Sequence, residues 1–382
     1  MSYRTLAVCA GFSTILAAAL LGAGSGCQAG VVGIGGSGDT STGANLQSSS
    51  NGFSSGTEMS TGTSLSNCTD PTCVGSTPQG GCDGALALAA NDPMDGARAI
   101  GLCKEYTEGT WGVRKAEWIR ADGSPLGMGD GGQDGDGDLA LGKGIVSKFG
   151  SAVTPREGKS MLVLSSGSAR NPNQPGYHSV SGYWKDNNEH GAPNGYPKAS
   201  ASCDLVGGPP YDSAGLRLQI ATPTDAKSIS FNIDFYTYEF PNFVCDKYND
   251  FFTAIMSPAP AGLPDGNISF DSMKNTISVN AGFLTVCHPQ QASNGQNFAC
   301  PDGPGELAGT GFDVDFLGDA TDNSAATSWL QTNAPIANPG SDITLEFAIW
   351  DDGDGVLDST ILIDNFTFTP DLTDTGTTPV PK

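Results

Sequence analysis

Between the apolar runs DITLEFAI and TILIDNFTF lies WDDGDGVLDS, residues 350–359, where four aspartates fall within eight residues. Converging carboxylates support two kinds of chemistry. Hard cations such as Ca²⁺ take six to eight oxygens from carboxylates, amides and backbone carbonyls. Glycoside hydrolysis instead needs two acids about 5–10 Å apart, one with a raised pKa. Gly353 and Gly355 let the backbone fold tightly, so that Asp352, Asp354 and Asp358 can converge. Left together without a counter-ion they repel one another, unless the loop is open and solvated. No Glu stands at the twelfth position, so the segment is not an EF-hand.

A second acidic stretch, YEFPNFVCDKYND at 238–250, supplies Glu239, Asn249 and Asp250 at the end of a strand-like run. Inter-strand loops at one end of a sandwich can gather, so 239–250 and 351–358 could share one ion. Asp364, inside the otherwise apolar run ILIDNF, is a further candidate, since a buried carboxylate must be paired or ligated. The expectation is a structural Ca²⁺ held among these seven residues. The competing reading is acidic turns plus one hydrogen-bonded Asp. GDGGQDGDGD, residues 129–138, looks richer in ligands, but Leu139 stands where a calcium loop needs Gly, and a solvated loop is expected.

Catalysis is not expected. The E-x-D-x-x-E strand signature of lectin-like glycosidases is absent, and His178, His190 and His288 show no H-E-x-x-H spacing. GFSSG at 52–56 matches G-x-S-x-G in letters alone, because a Gly/Ser segment supplies neither the strand nor the helix of a nucleophile elbow. The loop GYHSVSGYWKDNNEHGAPNGY, in contrast, mixes Tyr177, Tyr183, Trp184 and Tyr196 with Asn187, Asn188 and Asn194. Aromatic faces beside amides suit sugar or peptide recognition. Tyr183, Trp184 and Tyr196 are the candidate ligand surface, and pinning of a long loop is the competing role.

The 382 residues carry 18 Lys+Arg against 41 Asp+Glu, a formal charge of −23. Nucleic acid is excluded as a partner, because affinity for phosphate backbones comes mainly from Lys and Arg. Residues 1–26 have one Arg, an apolar run from Leu6 to Leu21 and then small residues, which is a secretory signal. Cys27 directly after it is a candidate lipid-attachment site, with Gly24 where a lipoprotein motif usually has Leu; ordinary cleavage is the alternative. Gln28 favours outer-membrane or surface placement. Residues 29–67 are almost all Gly, Ser and Thr and read as a tether. The remaining cysteines, Cys68, Cys73, Cys82, Cys103, Cys203, Cys245, Cys287 and Cys300, are even in number and read as disulfides in an exported protein. Eight cysteines allow 105 pairings. Closeness favours 287–300 and 82–103, leaving 68–73 and 203–245. CTDPTC lacks a second pair at zinc spacing.

The elements that must position these groups are strands. SISFNIDFY puts Ile229, Phe231, Ile233 and Phe235 on one face, and DITLEFAIW does the same with Ile343, Leu345, Phe347 and Ile349. NTISVNAGFLTV at 275–286 alternates likewise. One helix is expected in NDPMDGARAIGLC, capped by Asp92 with Pro93 at its first position and with Ala97, Ile100 and Leu102 inward. Irregularly spaced strands joined by Gly/Pro/Asn loops imply an all-β fold, an antiparallel sandwich with one or two short helices near its N-terminus, over residues 68–370. The polar stretch 371–382 is expected to be a loose tail.

Several stretches together resemble the choice-of-anchor L domain: DPMDGARAIGLC, KFG at 148–150, MLVLSSGSA at 161–169, FNIDFYTYEFPNFVCDKYNDFFTAIM at 231–256, and TSWLQTNAPIANPGSDITLEFAIWDDGDGVLDSTILIDNF at 327–366. The resemblance spans about residues 82–370. It implies a jelly-roll-like, lectin-type sandwich found on cell-surface and adhesion-like bacterial proteins. The resulting expectation is an exported, lipid-anchored surface module that binds an extracellular glycan or surface protein. The rivals are a structural envelope lipoprotein without ligand and a glycan hydrolase.

Overall fold

The computed structural model describes residues 72–73, 81–127, 136–186, 188–200, 203, 207–292, 295–313 and 324–381, with backbone alone at 136–138. Expectations for the signal, Cys27, the tether, GFSSG, Cys68, Asn187 and most of the 129–138 loop lie outside the described residues. The described residues fall in one compact unit.

Strands are numbered in chain order. The first sheet has the order β1 (Gly112–Ile119), β4 (Pro210–Ala221), β12 (Asp342–Asp352), β6 (Phe251–Ser257), β7 (Ile277–Ser278). The second has the order β14 (Gly376–Pro379), β11 (Leu330–Pro335), β5 (Ser228–Thr237), β13 (Ser359–Thr369), β3 (Met161–Ser165), β2 (Lys143–Val146), with β10 (Ala325–Ala326) also pairing β5. β8 (Gln290–Gln291) and β9 (Asn297–Phe298) make a small ribbon. These pairings are antiparallel, so the two sheets form the all-β sandwich expected from the alternation.

The inward faces are the ones legible in the sequence. Ile229, Phe231, Ile233 and Phe235 of β5 and Ile343, Leu345, Phe347 and Ile349 of β12 are buried in one cluster between the sheets. Phe231 meets Phe347 edge-on across the sandwich, ring centroids 5.1 Å apart. The outer faces are also partly covered: Tyr236, Tyr238 and Leu362 pack under loops in a second cluster. This explains how long irregular segments stay ordered without strand pairing.

The helix α1 is Pro93–Ala99, with Asp92 Oδ1 accepting from Met94 N at 2.9 Å. It is shorter than its sequence pattern because Gly101, at φ +92°, turns the chain away; Ala97, Ile100 and Leu102 are buried as the spacing implied. Two expectations are corrected. The run 275–286 forms a strand only at Ile277–Ser278, with isolated bridges from Thr276 to Phe270 and from Val286 to Ala326, because Asn280 turns aside and its Oδ1 accepts from Cys245 N at 2.7 Å. The tail is not loose throughout: β14 pairs with β11 from Gly376 to Pro379, and Thr377 Oγ1 lies 2.8 Å from Thr332 Oγ1. Disulfides join Cys82 to Cys103, Cys203 to Cys245 and Cys287 to Cys300. Cys73 is also disulfide-bonded.

A buried acid, Asp234, and a partly exposed one, Glu306, fasten a loop to the second sheet. Tyr236 Oη lies 2.9 Å from Asp234 Oδ2 and 3.2 Å from Glu306 Oε1, on the 3-10 turn Gly305–Leu307. A hydroxyl donates one proton, so both contacts form only when one carboxyl is protonated. Burial, and then the Glu306 charge, push Asp234 well above the usual carboxylate range. A raised folded-state pKa gives stability that is present below the unfolded value near 4 and lost as pH rises through the folded value. Glu306→Gln is therefore expected to stabilise the protein by about 1–2 kcal/mol at pH 7.5, roughly one pKa unit of relieved repulsion, with the gain shrinking toward pH 4. Thermal melts at the two pH values check this.

Candidate functional site

The acidic stretches meet because of how the chain changes sheets. Thr237 at the end of β5 pairs with Ser359 at the start of β13, and Trp350 near the end of β12 pairs with Phe251 at the start of β6. Residues 238–250 therefore cross from the second sheet to the first, and 353–358 cross back, at the same end of the sandwich. Two-residue alternation continues beyond the apolar faces. Glu239 follows Ile233, Phe235 and Thr237; Asp351 follows Phe347 and Ile349; Asp250 precedes Phe252 and Ala254. Three carboxyls thus cap the apolar core on its inward register, all at most 1% exposed.

Each spends an oxygen on a backbone N–H that the crossovers have taken out of the ladder. Glu239 Oε2 accepts from Asp250 N at 3.3 Å, Asp250 Oδ1 from Asp352 N at 3.1 Å, and Asp351 Oδ1 from Gly355 N at 2.9 Å. Gly353 and Gly355, at φ +126° and +70°, make the turn. Asp351 Oδ2 and Asp250 Oδ2 are buried without a well-formed hydrogen bond, although the Ser359 hydroxyl neighbours Asp250. Burial drives all three well above the usual carboxylate range, and the acids reinforce one another: Asp351 acts on Glu239, Glu239 on Asp250, and Asp250 on Asp351.

Beside this triad lies a second acidic group that has its own cation. Lys185 is fully buried, and its Nζ donates to Ser165 O at 2.8 Å. Burial lowers its pKa to about 8 against the opposing pull of Asp212, Asp358, Asp186 and Asp351. Asp212 accepts from Lys185 N at 3.2 Å and Asp186 N at 2.5 Å; burial raises it to about 7, with Lys185 opposing. Asp358 is driven well up by burial and by Asp212, again opposed by Lys185. Its carboxyl lies against Gly167, where a Cβ would fill its space. Asp186 Oδ2 is 2.5 Å from His190 Nε2, and His190 Nδ1 is 3.1 Å from Arg120 Nη1. Arginine can only donate, so Nδ1 accepts and Nε2 carries the proton toward Asp186.

Of the seven ligand candidates, Glu239, Asp250, Asp352, Asp354 and Asp358 come to this end of the molecule. Asp352 takes the outward register beside Gly207 and is pushed to about 7 by burial. Asp354 is in the turn, its Oδ1 accepting from Val356 N at 3.1 Å. Asp364 is not part of the group. It lies five residues along β13, and its carboxyl accepts from Arg156 N, Glu157 N and Asn365 N at 2.5, 3.2 and 2.6 Å. Asn249 turns away, its Oδ1 accepting from Asn280 N at 3.2 Å. Among the described residues no group of three or more His, Cys, Asp or Glu side chains is placed so that it could hold a metal ion. An ion here would draw further oxygens from backbone and water, as Ca²⁺ commonly does. Sequence reasoning missed Asp351, although the alternation of β12 marks it as inward. It also missed Lys185 and Asp212, for which no local signal exists.

The aromatic surface divides. Tyr196 is buried, its rim packed against Phe251 and Trp350 at 5.7 and 5.6 Å and its hydroxyl 3.0 Å from Thr276 Oγ1. It pins the loop, and its assignment to the ligand surface is corrected. Trp184 is 51% exposed, next to Tyr183, which stacks on His178 at 3.8 Å. Their loop is zipped to the acidic crossover: Gly182 N donates to Val356 O at 2.8 Å and Asp358 N to Val180 O at 2.9 Å. Trp184→Ala is expected to change stability by less than about 0.5 kcal/mol, whereas Tyr196→Ala costs about 3–5 kcal/mol. Denaturant melts of both variants check the division.

Comparison with known proteins adds a family. No curated protein matches the chain. Among solved structures, the K2 cleaved adhesin domain of Lys-gingipain is similar at 13% identity, covering 66% of this chain and 88% of that one, with a TM-score of 0.24, too low to carry argument. The family model described as the choice-of-anchor L domain matches residues 143–369. That span is narrower than the resemblance in the sequence. It leaves out α1, β1 and β14 but holds both crossovers, Lys185 and Trp184. This chain belongs to the choice-of-anchor L domain family.

Proposed function

We propose that the protein is exported, lipid-anchored through Cys27 at the outer membrane or cell surface, and binds an extracellular glycan or surface protein there. The sandwich is the displayed module, and calcium at its acidic end stabilises it. The observation that carries the binding role is Trp184, a large apolar side chain left half in water on a loop otherwise held down by Tyr196, Lys185 and two backbone bonds to the acidic crossover. A rigid, exposed aromatic is the kind of group that contributes most to a binding interface. The three bridges support an oxidising, extracellular setting. Hydrolysis is disfavoured because the converging carboxyls are inside the fold, where a glycan does not reach them.

The full chain is expected to bind immobilised glycans or cell surfaces, with the signal falling about tenfold or more in Trp184→Ala. No signal from the full chain would favour the structural envelope reading, equal signals from both proteins would move the binding surface away from Trp184, and release of reducing sugar would favour the hydrolase. Calcium at a hundredfold excess over its dissociation constant adds about 2.7 kcal/mol of stability, so melts in Ca²⁺ and in EDTA separate clearly if the ion binds.

A further inference from the structure

β14 adds an edge to the second sheet, and the chain leading into it does not lie flat against that sheet. The ladder between β11 and β14 ends at Asn333 opposite Gly376. The next residue of β11 to face this edge by alternation is Pro335, which has no N–H to give. Residues 372–375 stand away from β11 and wall two adjoining grooves. One, of about 930 Å³, is bounded by this wall, Pro335 and the loops at 195–198 and 261–265. The other, of about 370 Å³, extends to Phe270 and Ser272. Both are of the size that takes a ligand, and Thr373, Asp374, Thr375 and Lys274 line both. The groups left unmet here point to one. Asp374 and Thr375 have no backbone partner among the described residues. Thr373 N donates to Ser228 Oγ at 2.9 Å, but the Thr373 hydroxyl is buried with no partner of its own. Lys198 is paired with Asp265 at 2.7 Å. Exposed Lys274 has no such acid, its Nζ lying 3.9 Å from the centre of the Phe270 ring. Of the three large apolar side chains exposed among the described residues, two flank these grooves: Leu372 at 74% and Met273 at 53%.

We propose that these grooves are a second recognition site, separate from Trp184, for an extended peptide segment of another protein that carries an aliphatic side chain beside a carboxylate. The aliphatic side chain meets Leu263, Pro335 and Leu372, and the carboxylate meets Lys274. The N–H and C=O groups of the peptide meet those of Asp374 and Thr375, as an added strand does at a sheet edge. A peptide suits the walls better than a glycan. They offer no exposed ring for a sugar to stack on, because Phe270, the one aromatic lining residue, is 5% exposed beneath Lys274. Asp374, the unpaired acid of the wall, repels a carboxylate and so fixes which way the segment runs. The wall lies beyond residue 369, where the family match ends, so it stands outside the matched domain.

A phage-displayed library of random dodecapeptides, panned on the immobilised full chain, tests this. Enriched peptides are expected to carry Asp or Glu next to Leu, Ile or Val. A synthetic copy of the most enriched one is expected to bind the full chain, about tenfold or more weakly in Lys274→Glu and in Leu372→Asp, and equally well in Trp184→Ala. Exchanging its acid for lysine is expected to restore binding to Lys274→Glu. Both altered side chains are exposed, so the variants are expected to melt with the wild type. No enrichment, or equal affinity for the wild type and Lys274→Glu, would overturn the proposal. Binding lost in Trp184→Ala alone would also overturn it and assign the peptide to the Trp184 surface. A wild-type dimer in sedimentation that Leu372→Asp makes monomeric would replace the foreign peptide, as occupant, with a second copy of this chain.

Discussion

The structure turns on the repulsion among acids buried where the chain changes sheets. A sandwich whose strands cross between layers must leave backbone N–H groups without ladder partners at each crossing, and buried donors have to be met. Here carboxylate oxygens meet them: Glu239 takes Asp250 N, Asp250 takes Asp352 N, and Asp351 takes Gly355 N. The same carboxyls that satisfy the crossovers carry charge into a dry site. Lys185 offsets part of it, through Asp212 and Asp358. The rest is met by protonation or, on the proposal advanced above, by an ion.

The surrounding architecture keeps this end from opening. Cys245 lies within the 238–250 crossover and is tied to Cys203. Asn280 Oδ1 accepts the Cys245 N–H, and Asn249 Oδ1 accepts the Asn280 N–H, so the crossover is also sewn to the segment after β7. The Cys287–Cys300 bridge packs with Phe240 in a small cluster against the same crossover. Covalent closure of this kind restricts the unfolded chain and here fixes the loop that supplies two of the three inward acids.

The acidic end and the exposed aromatic are neighbours in one framework. Residues 180 and 182 bond to residues 358 and 356, Lys185 reaches from the aromatic loop into the acidic interior, and Tyr196 anchors the far side of that loop on Phe251 and Trp350. A side chain presented on so constrained a loop loses little conformational freedom on meeting a partner. That gives a physical reason for Trp184 to serve recognition where a floppy loop would not.

By itself the sequence determined the layers. Period-two alternation in SISFNIDFYT and DITLEFAIW is enough to assign the inward faces, because a strand has two sides and one must be apolar; the capped helix at Pro93 and the resemblance carried by YEFP…YND and WDDGDG…IDNF were legible for the same kind of local reason. Only the tertiary structure decided which acids meet. Asp364 and Asp351 look alike in the sequence, yet one sits beside the N–H groups of residues 156–157 and the other faces Asp250. Lys185 gives no sign in WKDNN that it is the buried cation, and Tyr196 looks as available as Trp184 until Trp350 and Thr276 enclose it. These outcomes depend on which strand ends and loops come together across long separations, and local pattern carries no information about that.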